Sequence, residues 1–299
     1  MGSHGKDRAT DAGRRVSRRL FLATGSLAGV AVTGRALLSG ARSDRTASAS
    51  VVEPPDGGST SASHIPHVAL TWDGPWQTLF SRGLPLFRRH GLAGTIYVIT
   101  GLAGKTRGSV PGDRYCTWAQ DAAFARAGWE VSNHTVTHPD LTKLDEPSVT
   151  AEILGAKQDL VRRGYATPGF AYPYNKSDAM ARRVAATYQL YARAGVDEGP
   201  IVRIGTADQL FTLRSASMAH LSADELISET EQTCFEFGQD MIRLGHLVRD
   251  PAEDRPQQNM SVSSAALDGY LRWLADQQRR GLLRVTTCQA LVLANLIDL

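Results

Sequence analysis

Cysteine is scarce in this chain: 299 residues hold three, Cys116, Cys234 and Cys288, far apart and without a Cys-x-x-Cys spacing. That pattern argues against a zinc-thiolate site and a disulfide scaffold; one pair could bridge outside the cell, but the odd count better suits small buried apolar residues. A basic surface is lacking as well. The formal charge of +3 comes from 33 basic and 30 acidic residues; nine basic and three acidic ones fall in residues 1–49, leaving 24 against 27. The rest of the chain is therefore slightly acidic and carries no nucleic-acid footprint. No long hydrophobic run is present either. The run Leu20–Val32 is too short and too rich in glycine for a membrane span, which needs about 20 apolar residues. Residues 66–299 show no second linker and no internal repeat, which suits a single domain of ordinary size.

What is present begins with an address. Ser17-Arg18-Arg19-Leu20-Phe21-Leu22 follows a basic leader and precedes small residues such as Ala47-Ser48-Ala49. This is a twin-arginine export signature, so residues 1–49 are set aside before any fold reasoning. The mature chain is expected outside the cell or at the cell wall, with no membrane span. Residues 50–65, rich in Pro, Gly and Ser, read as a flexible linker, and residues 66–299 as the folded domain.

Within that domain strand-like and helix-like stretches alternate. Strands are expected at Val68–Trp72, Thr95–Ile99, Trp129–Ser132, Gly169–Tyr174, Met241–Leu244 and Arg284–Thr286. Between them lie helical patterns: Gln77–His90, Trp118–Ala127, one capped by Asp145, one from Ser177 to about Arg193, and one opened by the box Ser222–Glu225. A last amphipathic helix carries Leu267, Leu271 and Leu274. Such repetition predicts a parallel sheet closed, or nearly so, into a barrel, with chemistry at the C-terminal ends of the strands. Asp73, His134, Tyr174 and His246 stand at or just past such ends.

His134 and His138, four residues apart at a strand end, can share one metal ion if a carboxylate joins them, and Asp73 is a candidate. His64, His67, His90 and His220 have no evident partners and read as ordinary.

These segments together resemble the polysaccharide deacetylase family (NodB-like, carbohydrate esterase family four). Val68-Ala-Leu-Thr-Trp-Asp73-Gly resembles its first motif, Asn133-His134-Thr-Val-Thr-His138-Pro its second, Phe170-Ala-Tyr-Pro173-Tyr174 its third and Ile242-Arg-Leu-Gly-His246 its last. The resemblance implies an irregular (β/α) barrel that hydrolyses acetyl groups from N-acetylated glycans with a divalent metal, zinc above others. It makes His134 and His138 metal ligands and His246 the acid that protonates the departing amine. It also has the Tyr174 N–H bind the oxyanion while Pro173 and Tyr174 line the groove.

The first motif departs from the family in having one aspartate where two are usual. Counting from the strand makes Asp73 the base; counting back from Gly74 makes it the ligand. The ligand assignment is preferred, because two histidines alone seldom complete a site. Glu130 shares a strand face with His134, but a structural role suits it better. The family's arginine ahead of the Pro-Tyr pair has no counterpart, and Asn175 replaces a usual glycine. The missing aspartate keeps two alternatives open: a degenerate relative that only binds carbohydrate, or a metal hydrolase of another C–N or ester bond.

Overall fold

The structure, a computed structural model, describes residues 64–106, 113–195, 201–202, 204, 206–253 and 260–297. The expected leader, residues 1–49, and all of the linker except His64 and Ile65 lie outside the described residues.

The strands are β1 (His67–Asp73), β2 (Thr95–Val98), β3 (Glu130–Asn133), β4 (Gly169–Ala171), β5 (Tyr191–Arg193), β6 (Ile201–Val202), β7 (Ala216–Ser217), β8 (Asp240–Gly245), β9 (Leu247–Val248), β10 (Ser261–Val262) and β11 (Arg284–Thr286). The main sheet runs β5-β4-β3-β2-β1-β8-β6, with β11 also on β1 and β7 on β8. Every pairing in it is parallel except that of β6 with β8. Segment 213–217 brings the two ends together: Leu213 bridges Arg193 on β5, and Ala216–Ser217 pair with Arg243–Leu244 on β8. The sheet is thus curled and mostly parallel, nearly closed into a barrel as the alternation predicts.

The helices follow from caps and apolar stripes. They are α1 (Leu84–His90), α2 (Trp118–Arg126), α3 (Glu146–Arg162), α4 (Ala179–Tyr188), α5 (Ala207–Leu210), α6 (Ala223–Glu231), α7 (Ser264–Arg279) and α8 (Cys288–Ile297). Asp145 accepts from the Ser148 N–H at 3.0 Å, and α3 then buries Val149, Ile153, Ala156 and Leu160. Ser222 and Glu225 cap α6 reciprocally, and α7 buries Leu267, Leu271 and Leu274. Outside β1 an aromatic cluster forms, with Phe87 4.5 Å from Trp129 and 5.2 Å from Trp72 between ring centroids. Such edge-on contacts add to plain area burial. Cys116, Cys234 and Cys288 are free and buried, as apolar residues would be. Among the described residues no helix is long and apolar enough to cross a membrane.

Two stretches around the third motif differ from the expected pattern. The helix assigned to Ser177–Arg193 is capped by Asp178 and stops at Tyr188, and Gln189 turns extended before β5. Gly169 makes this possible, because a Cβ there would lie 2.2 Å from the Tyr191 ring. The expected strand at Gly169–Tyr174 likewise ends at Ala171 and passes into a tight turn at Pro173–Asn175.

Candidate active site

The second motif is held by a loop that the histidine spacing alone does not reveal. After β3, Asn133 donates to the Ile153 carbonyl at 2.9 Å and accepts from the Thr135 N–H at 2.9 Å. Thr135 and His138 both take left-handed backbone, at φ 69° and 66°, and Thr135 Oγ1 accepts from the His138 N–H at 2.9 Å. From α3, Glu152 accepts from the N–H groups of Val136 and Thr137 at 2.9 and 2.8 Å and from the Thr137 hydroxyl at 2.7 Å. Asn133 and Glu152 therefore aim the histidine pair, and the Asn immediately before His134 is the signal in the sequence that could have shown it.

His134 is 1% exposed, and its Nδ1 lies 2.8 Å from the Ala171 carbonyl oxygen. A carbonyl only accepts, so Nδ1 carries the proton and Nε2 keeps a lone pair. Burial holds this imidazole below its ordinary pKa, which keeps it neutral near pH 7. Nε2 faces Asp73, 3.8 Å from Oδ2. The His138 ring centroid is 4.8 Å from that of His134 and 4.7 Å from that of Tyr174.

Asp73 ends β1 and is buried. Burial alone would raise its pKa; the Arg193 guanidinium, with His134 and His246, outweighs that and holds the carboxyl below the usual range. Arg193 donates to Asp73 Oδ2, to Asn175 Oδ1 at 2.9 Å and to Ser215 Oγ at 3.2 Å. It stands on β5 directly beside Ala171, two residues ahead of Pro173. Asn175 also has its reason: at φ 57° its backbone is left-handed, a conformation asparagine tolerates, and its side chain seats Arg193.

Asp73, His134, His138, Tyr174 and His246 line one pocket of about 160 Å³. Pro173 is buried behind the turn and is not among the lining residues, whereas Tyr174 is 53% exposed. Glu130 is structural: its carboxylate accepts from Ser132, Thr95, Tyr191 and the Gln289 N–H, tying β2, β3, β5 and α8 together.

A cluster suited to a divalent metal is present elsewhere. His64, His67 and Asp240 bring one ligand atom each to within 4.8 Å of the others. Reading His64 and His67 as ordinary is therefore corrected: Asp240, the first residue of β8, gathers them. They lie at the N-terminal ends of the strands, about 20 Å along β1 from Asp73.

Residues 60–192 match the model for polysaccharide deacetylase. That segment is similar to the polysaccharide deacetylase family. Three of the motif segments quoted above fall inside that match; the one ending at His246 lies beyond it. No curated protein matches the chain. Solved structures similar to this chain include a family 4 carbohydrate esterase from Streptomyces lividans in complex with acetate. It is 22% identical, covers 73% of this chain and 91% of that one, and has a TM-score of 0.47. A peptidoglycan deacetylase from Bacillus subtilis is 17% identical over 76% of this chain and 89% of that one, with a TM-score of 0.49. A family 4 acetyl xylan esterase from Clostridium thermocellum is 18% identical over 75% and 89%, with a TM-score of 0.48.

Proposed function

We propose that this chain is an exported, metal-dependent hydrolase that removes acetyl groups from an N-acetylated polysaccharide such as peptidoglycan, a chitin-like glycan or an exopolysaccharide. One observation carries the reading: a buried, neutral His134 whose proton is fixed on Nδ1 and whose Nε2 lone pair faces Asp73, in a pocket shared with His138 and His246. His134 and His138 would hold a divalent ion of the zinc class with water in the remaining positions, since a hydrogen bond to the far nitrogen is how metal-binding histidines are oriented. A bound ion would supply positive charge to the acetyl carbonyl and to the oxyanion that forms from it.

The side chains account for the rest of the chemistry. Asp73 serves as the proton acceptor for the attacking water. This departs from the ligand assignment preferred from the sequence, and the reason is electrostatic. The oxygen facing His134 is the one Arg193 holds, so a cation seated there would meet the guanidinium. Oδ1 is buried with no hydrogen-bond partner among the described residues, so its lone pairs are uncommitted. His246, close enough for its charge to act on Asp73, donates a proton to the departing amine. The exposed Tyr174 ring lines the pocket as the sugar contact, and its N–H serves the oxyanion.

The test is metal content and acetate release from N-acetylglucosamine oligomers, for wild type and His134→Ala. Bound metal with acetate release that disappears in the variant supports the reading. Metal-free protein that binds the oligomers without releasing acetate would leave a carbohydrate-binding relative instead.

A further inference from the structure

The cluster at the opposite end of the barrel has no part in that chemistry. Its geometry follows from strand register: Val68 pairs with Met241 in parallel, which sets His67 and Asp240 side by side at the start of β1 and β8. Asp240 is 1% exposed, and its Oδ1 accepts from the His67 backbone N–H at 2.7 Å and lies 2.8 Å from His64 Nε2. Its Oδ2 accepts from Asn295 Nδ2, and the same amide donates to the Leu291 carbonyl at 3.0 Å. The carboxylate is therefore locked in place from α8.

A plain hydrogen-bonded group would leave nothing over. Here His67 Nδ1 is buried with no hydrogen-bond partner, 3.6 Å from Asp240 Oδ1. That separation is long for a hydrogen bond. It matches two atoms sharing a tetrahedral ion, which lie about 3.3–3.6 Å apart when each is 2.0–2.2 Å from the metal, whereas His64 Nε2, hydrogen-bonded to the same oxygen at 2.8 Å, would have to draw back to join them. Two imidazoles and one carboxylate are a zinc-class donor set. His64 is 38% exposed at its side chain, so water can reach a fourth position.

We propose that His64, His67 and Asp240 bind a divalent metal of the zinc class as a structural staple, separate from the pocket of His134 and His138. The ion ties the first described residues to β8 and, through Asn295, to α8. This inference does not rest on the proposed activity.

The test uses the full chain without an affinity tag, stripped with chelator and titrated with Zn²⁺ and then Co²⁺ alone. The background is His134→Ala with His138→Ala, which removes the pocket's histidines. The expected result is one equivalent of Zn²⁺ bound, a visible Co²⁺ absorption typical of tetrahedral sites, and a thermal midpoint raised by roughly 5–10 °C at a hundredfold excess over Kd. His64→Gln keeps a donor for Asp240 but removes the ligand. It should lower Zn²⁺ affinity by at least roughly tenfold and leave the metal-free midpoint nearly unchanged. His67→Ala should abolish the Co²⁺ band. Zn²⁺ stoichiometry and midpoint shift that are the same in His64→Gln as in its background would overturn the site. So would the absence of any bound equivalent in that background.

Discussion

Arg193 reaches across the barrel to Asp73. The two stand on β5 and β1, four places apart in the strand order, yet the guanidinium donates to Asp73 Oδ2 with both side chains buried. Such a pair holds its acid ionised and in one orientation, which a proton acceptor needs. Breaking it by removing one partner leaves a buried charge alone, at a cost of about 3–5 kcal/mol. Arg193→Met is expected to lose that much stability by urea unfolding and most of its acetate release. Arg193→Lys keeps the charge but not the fork to Asn175 and Ser215, and should recover stability in part.

The same pair sets a pH dependence. Asp73 has its pKa lowered in the folded state, so its stabilising contribution is complete above the ordinary carboxylate value, about 4. It is lost as the pH falls through the lowered value. Removing Arg193 raises the Asp73 pKa, so the acid limb of the kcat/KM profile should move to higher pH in Arg193→Lys relative to wild type only slightly, and in Arg193→Met clearly. Profiles that superimpose in all three proteins would mean that Asp73 does not act as the base.

Asp73→Asn separates the two roles of the carboxylate. As proton acceptor, its loss should slow acetate release by about 10²–10⁴-fold while the pocket's metal content stays at the wild-type level. Metal lost together with activity would restore Asp73 to the ligand set. Atomic absorption on the purified variant decides it, provided His67→Ala is included so that metal at the far end of the barrel is not counted.

Counted from the strand, Gly74 stands at the place of the second aspartate, and the space there is filled. Its φ is +51°, and a Cβ would lie 2.9 Å from Tyr115 Cε1 and 3.0 Å from Ile99 Cδ1. The Tyr115 ring is itself packed on Trp76, with centroids 4.3 Å apart. Gly74→Asp is therefore expected to destabilise the chain by about 1–3 kcal/mol, with no gain in acetate release. A thermal midpoint equal to wild type would show that the Tyr115 ring yields.

These sites differ in how far they could be read in advance. His134 and His138 were legible because their spacing, the preceding Asn133 and the following Pro139 are local. The barrel was legible because strand and helix periodicities alternate over its whole length. Arg193 was not, since Val184, Tyr188 and Tyr191 fall at helical spacing and carry the helix pattern past its true end. Only the β4–β5 register turns that stretch into a strand whose third residue enters the barrel. His64 and His67 escaped notice for a similar reason, because Asp240 lies 173 residues beyond His67 and joins it only through the β1–β8 pairing.

Asp121 offers a test of the barrel's stability away from the pocket. It lies in α2, is fully buried, and neither carboxyl oxygen has a hydrogen-bond partner among the described residues. Burial pushes its pKa up to about 8, against a smaller opposing pull from Arg163. Between its ordinary value and that one, the folded chain keeps a proton that the unfolded chain has released. Stability from this group is thus complete below about pH 4 and declines as the pH rises towards the folded-state value. Asp121→Asn, isosteric and always neutral, removes the slope and should stabilise the protein at pH 8 by on the order of a few kcal/mol. Urea midpoints at pH 5 and pH 8 check it: the wild type should lose more between the two than Asp121→Asn, and equal losses would mean that Asp121 is ionised and solvated in the folded chain.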